Sequence, residues 1–162
     1  MEETTPSLLH QLGASRRRPK VGDIFEVQFD AGRLPGRVIR TDALVFAGAP
    51  GLNLLYFFRG LAPTHDVETI ELSTDNLLIP PVLTNSLGWS RGYFQTIGNR
   101  PLGVAEVLDQ HCFDAYGGGH FDEYGHPLPA PVEPVGVLGV QSYLTIEHWL
   151  SLAIGWGGTL SD

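Results

Sequence analysis

The chain has 162 residues, 43% of them hydrophobic and 17% charged, with 20 Gly, 12 Pro, one Cys and a formal net charge of −8. A domain of this length buries roughly 70% of the surface its unfolded chain exposes; it needs no staple, and the lone Cys112 excludes both an internal disulfide framework and a multi-cysteine zinc site. All ten Lys and Arg lie between Arg16 and Arg100, ten acids up to that point offset them, and residues 101–162 carry eight acids and no Lys or Arg, which argues against a nucleic-acid ligand and suits a basic protein partner.

Residues 1–18 read as a flexible tail. They are polar apart from Leu8, Leu9 and Leu12, and they close on Arg16, Arg17 and Arg18, a run too short for a nucleic-acid arm. Neither a secretory signal pattern nor a run of ~20 apolar residues is present, so a cytoplasmic protein without a membrane segment is expected. Residues 19–162 read as a single domain.

The clearest local signal is Pro19 to Arg40, which predicts a β-hairpin. Phe25, Val27 and Phe29 alternate with Ile24, Glu26 and Gln28, the pattern of a half-buried strand. Asp30, Gly32, Pro35 and Gly36 then read as an extended turn before Val38 and Ile39 resume the strand. Ala43 to Ala47 and Asn53 to Arg59 are further strand candidates, the second so continuously apolar that it suits a strand covered on both faces. Val67 to Leu72 alternates like an edge strand or a surface segment, and Pro80-Pro81 ends pairing after Leu77 to Ile79.

From Thr84 to Ile97 the chain reads as a turn feeding a strand, and Leu102 to Asp109 as one or two helical turns. Tyr124-Gly125 between apolar residues reads as a hairpin tip. Val135 to Tyr143 is a β-type run, and Thr145 is placed to cap a helix from Ile146 to about Ile154, stopped by Gly155. The whole predicts an α+β fold, mainly antiparallel, with a curled SH3-like sheet and one or two short covering helices.

The sharpest cluster for chemistry is His111, Cys112, Asp114, His120, Asp122, Glu123 and His126, because imidazole, thiolate and carboxylate are the ligands that transition metals prefer. Its spacing matches no zinc pattern. A polar loop outweighs both a metal-dependent enzyme using His111, His120, Asp122 and His126 and a Cys112 nucleophile with a histidine base. No phosphate-binding glycine loop, dinucleotide fingerprint or serine elbow occurs. No catalytic residue, metal or cofactor is therefore assigned. Trp89, Tyr93, Phe94, Tyr116, Phe121 and Tyr124 are aromatic residues of the kind that pack cores or anchor interfaces with Arg-rich partners.

Several motifs in order, Lys20-Val21-Gly22-Asp23-Ile24-Phe25-Glu26-Val27, Gly36-Arg37-Val38, Gly88-Trp89-Ser90-Arg91-Gly92-Tyr93-Phe94, Gly98-Asn99-Arg100-Pro101-Leu102, His111-Cys112-Phe113, Phe121-Asp122-Glu123-Tyr124-Gly125 and Ser142-Tyr143-Leu144-Thr145, together resemble the Immunity protein 26 family of bacterial polymorphic toxin systems. The resemblance runs from about Pro19 to Ile154. It implies a non-enzymatic cytoplasmic antidote that binds a cognate toxin, and it carries over no catalytic residue. A generic small-barrel interaction module is the competing reading. The partner is expected to be a basic toxin domain, met by Asp122, Glu123 and Tyr124 at the hairpin tip together with Trp89 and Tyr93.

Overall fold

In the computed structural model, which describes residues 9–44 and 51–155, the chain forms a five-stranded antiparallel sheet with a smaller sheet on one side and helices on the other. Strands β1 (Asp23–Phe29), β2 (Gly32–Ala43), β3 (Leu52–Phe57) and β4 (Val82–Thr84) form a meander, and β5 (Gln95–Asn99) returns beside β1. The resulting order, β4-β3-β2-β1-β5, leaves the sheet open rather than closed into a barrel. Register shifts between β1 and β5 at Ile24/Phe25, and in β2 on either side of Arg40, bend the strands and give the sheet its curl.

The hairpin forms where the sequence places it, with a much tighter turn. Only Asp30 and Ala31 lie outside the strands, and Pro35 and Gly36 stand inside β2 opposite Glu26 and Phe25. The proline is tolerated because its carbonyl accepts from Phe58 N at 3.0 Å. Its own nitrogen therefore faces the end of β3, and no bond to β1 is lost. Gly36 is required because the Phe25 ring lies where a Cβ would stand.

β1 is buried on both faces, not half-buried as its alternation predicts. Phe25, Val27 and Phe29 point into one core with Leu55, Phe57, Trp89, Phe94, Ile146 and Leu150. Ile24 points into a second core with Ile39, Leu54, Tyr56, Phe58, Leu83 and Phe113. Glu26 is buried on that second face, paired with Arg33 at 2.9 Å and with His65 at 2.7 Å. Polar residues read as solvent-facing are thus interior because long connections fold over them. β3 contributes to both cores, as its continuous apolar run requires.

Helix α1 (Leu87–Ser90) joins β4 to β5. Residues 67–72 form a turn at 67–69 and then irregular chain rather than a strand, and residues 104–106 form a single 3-10 turn. The small sheet contains β6 (Cys112–Asp114), β7 (His120–Phe121), β8 (Pro127–Leu128) and β9 (Val135–Val137) in the order β8-β7-β6-β9, with β6 and β9 parallel. Helix α2 (Tyr143–Ala153) covers the first core with Ile146 and Leu150.

The cap of α2 is Ser142, whose Oγ accepts from Thr145 N at 3.1 Å; Thr145 supplies the capped N–H, and the helix begins three residues earlier than expected. Gly155, at φ 84°, ends it as expected. The stretch from Leu9 to Ser15, expected within the tail, lies against the sheet: His10 N donates to Gln28 O at 2.9 Å, Leu12 N to Gly92 O at 2.6 Å and Ser15 N to Trp89 O at 3.0 Å. Candidate strand residues 45–47 lie outside the described residues.

Candidate functional site

The β7–β8 tip is the five-residue connection Asp122 to His126, organised by Asp122. Its Oδ1 accepts from Tyr124 N and His126 N, both at 2.9 Å, its Oδ2 lies 3.2 Å from His126 Nδ1, and Asp122 N donates to His126 O. Gly125 supplies the positive φ of 86° that closes the turn. Tyr124 is 43% exposed, and its hydroxyl lies 3.4 Å from Asp42 Oδ1.

Glu123 points the other way and is 6% exposed. Its Oε2 accepts from His111 Nδ1 at 3.1 Å and lies 3.5 Å from Arg40 Nε on β2. His111 Nε2 is 2.6 Å from the Tyr56 hydroxyl, which itself accepts from Leu108 N at 3.0 Å. The imidazole of His111 thus bridges the tyrosine hydroxyl and the Glu123 carboxylate. This buried chain fastens the small sheet to β2 and β3. Leu44, left-handed at φ 45°, adds a backbone bond from its N–H to Glu123 O at 2.8 Å.

Burial pushes the Glu123 carboxyl up, but the His111 bond, its own backbone N–H and the Arg40 charge outweigh that and hold it below its ordinary value of 4.5. Burial opposes Asp122 and Glu106 in the same way; the His126 and Tyr124 N–H groups and the His126 ring lower the first, and Gly103 N–H with Arg37 and Arg100 lowers the second. Burial also pushes the Tyr56 hydroxyl up to about 12.

A folded-state pKa below the unfolded one means that the unfolded chain binds more protons, so the stability is complete above the unfolded value and is lost as pH falls through the folded one. The melting-temperature gap between the wild type and Glu123→Gln should accordingly stay constant from pH 7 to about 5 and shrink steadily below about 4.5. A gap of unchanged size at pH 2.5 would refute the assignment.

Of the five residues expected to meet a partner, Tyr124 is exposed, Asp122 and Tyr93 are half-buried, and Glu123 and Trp89 are interior. Tyr93 stacks on Tyr143 at 4.9 Å, and Trp89 donates from Nε1 to Thr96 Oγ1 at 3.0 Å. The histidine-acid cluster divides into separate pairs, His111 with Glu123, His126 with Asp122, and His120 3.9 Å from Asp114. Cys112 Sγ accepts from Val132 N at 3.4 Å. Among the described residues no three of these side chains converge as metal ligands, and no helix is long and apolar enough to cross a membrane.

Arg40 and Tyr56 carried no functional signal in the sequence, because each lies in an ordinary strand and acquires its partners only when the small sheet docks. What the tip offers chemically is recognition: an exposed aromatic ring beside carboxylates. A family model described as Immunity protein 26 matches residues 20–119. No curated protein and no solved structure matches the chain.

Proposed function

The chain belongs to the Immunity protein 26 family, and from that premise we propose that it binds a cognate bacterial toxin domain and neutralises it by protein–protein contact, without catalysis of its own. The family match over residues 20–119 carries this reading. The charge distribution supports it: a toxin that acts on nucleic acid presents Lys and Arg to hold phosphate, and the part of this chain without compensating bases would attract it and speed encounter.

The tip gives that encounter an anchor. Tyr124 supplies a rigid, amphipathic ring, Asp122 holds the turn that presents it and Glu123 ties the turn to β2. Charge reversal at Asp122 would unmake the turn, so the discriminating variant is Tyr124→Lys, which leaves the turn bonds in place. Its dissociation constant for the toxin domain should rise at least tenfold with the melting temperature unchanged; binding within twofold of wild type would remove the tip from the interface. The function itself is tested by locating the cognate toxin, expected in a gene beside this one, and co-expressing it with this chain. Restored growth and co-purification are expected, and growth arrest despite soluble expression would overturn the reading.

A further inference from the structure

The tip stands at one end of the small sheet, and at the other end, beside β9, an apolar cleft of about 490 Å³ opens between Pro80, Pro81, Val137, Trp149, Leu152 and Ala153. Three elements build it for physical reasons. Pro80 and Pro81 have no N–H and cannot extend the β4 ladder. Gly136 packs so closely on Pro81 O that a Cβ would collide with it, which sets β9 directly against the proline run. Helix α2 turns Ile146 and Leu150 into the core and leaves Leu152 51% exposed at the rim.

Exposed apolar side chains concentrate in the stretch of chain that supplies β9 and α2. Of the eleven large hydrophobic side chains exposed among the described residues, five lie between Val132 and Leu152: Val132, Val137, Val140, Leu144 and Leu152. Two of them, Val137 and Leu152, line the cleft itself, and exposed apolar side chains at a cleft mark an interaction surface. Its charge is one-sided as well. Residues 77–81, 133–137 and 143–153, which form the walls, contain no Lys or Arg and two acids, Glu133 and Glu147. Glu147 Oε2 is engaged by Leu9 N at 2.7 Å, and Glu133 is exposed at the entry to β9.

We propose that this cleft is a second docking site for the toxin, receiving a large apolar side chain flanked by Lys or Arg, with Glu133 meeting the basic neighbour. The inference rests on the toxin-binding reading above. Tip and cleft lie at opposite edges of the same small sheet, whose strands stand about 4.8 Å apart. Most of the cleft, like the tip, lies beyond the residues 20–119 that the family model matches.

The test uses the full chain and, as probe, the purified toxin domain that the co-expression experiment identifies. Leu152→Lys and Ala153→Arg should each weaken binding at least thirtyfold without lowering the melting temperature, and Glu133→Lys should slow association several-fold at low salt with a smaller effect at high salt. Toxin binding by wild type that both cleft variants retain within threefold would overturn the cleft while leaving the function standing. Wild-type protein that fails to bind the toxin at all would overturn both. A homodimer that Leu152→Lys dissociates, or removal of residues 156–162 tightening toxin binding at least tenfold, would give the cleft to a second copy or to this chain's own C-terminus and refute the proposal.

Discussion

Trp89→Ala is expected to lower folding stability by about 3–5 kcal/mol, the cost of deleting a large aromatic side chain from a packed core. Trp89 is 2% exposed and sits 5.1 Å, edge-on, from the rings of both Phe25 and Phe94, which stack on each other at 5.5 Å and each meet Phe57 edge-on. Its Nε1 also donates to Thr96 Oγ1, so alanine would leave a hydroxyl without that partner as well as a cavity. The surrounding segment cannot collapse easily, because Gly88 is already held against the Phe94 ring. For a domain of this size the melting temperature should fall by about 10 °C. Toxin affinity of the folded protein, measured well below that temperature, should stay within threefold of wild type. A loss of affinity with stability intact would make Trp89 an interface residue after all.

Arg37→Met should cost about 3 kcal/mol, near the lower end for removing one partner of a buried ion pair. Arg37 is 1% exposed on β2. It donates to Arg100 O and Pro101 O and pairs with Glu106 Oε1 at 2.9 Å, so one guanidinium holds the connection between β5 and β6 against the sheet. Two features moderate the loss. Glu106 is 24% exposed and keeps Gly103 N and Arg100, and Arg37 Nε is buried without a hydrogen-bond partner, so the native arrangement is not optimal. Methionine fills much of the same volume, which confines the change to polar contacts. Equilibrium unfolding in urea measures it, and a double-mutant cycle with Glu106→Gln isolates the pair. A loss under 1 kcal/mol would show that the loop holds itself.

These two residues mark where sequence reasoning succeeds and where it stops. Alternation in Ile24 to Phe29, the continuous apolar run of Asn53 to Phe58, the Tyr124-Gly125 turn and Gly155 after an amphipathic run each specify local structure through a period or a backbone preference a few residues long. Those elements stand in the fold. The helix start was misplaced by three residues because Ser142 and Thr145 are both competent caps, and only the bond Ser142 Oγ makes to Thr145 N distinguishes them. Pro35 and Gly36 look like turn residues because locally they are; what makes them strand residues is Phe25 across the hairpin and the end of β3 beside them.

Within the candidate site the same division holds. Glu123 and Trp89 read as surface contacts, since a carboxylate in a turn and an indole between glycines carry no local sign of burial. They are interior because partners 83 and 64 positions earlier in the chain close over them: Arg40 reaches Glu123, and Phe25 packs edge-on against Trp89. The α+β class, the hairpin, the acidic C-terminal part and the family are legible in the sequence, because these depend on composition, period and ordered motifs. Only the tertiary structure decided which polar residues turn inward and that an apolar cleft opens beside α2, because burial is set by which long connections fold over a strand, and no local pattern encodes that.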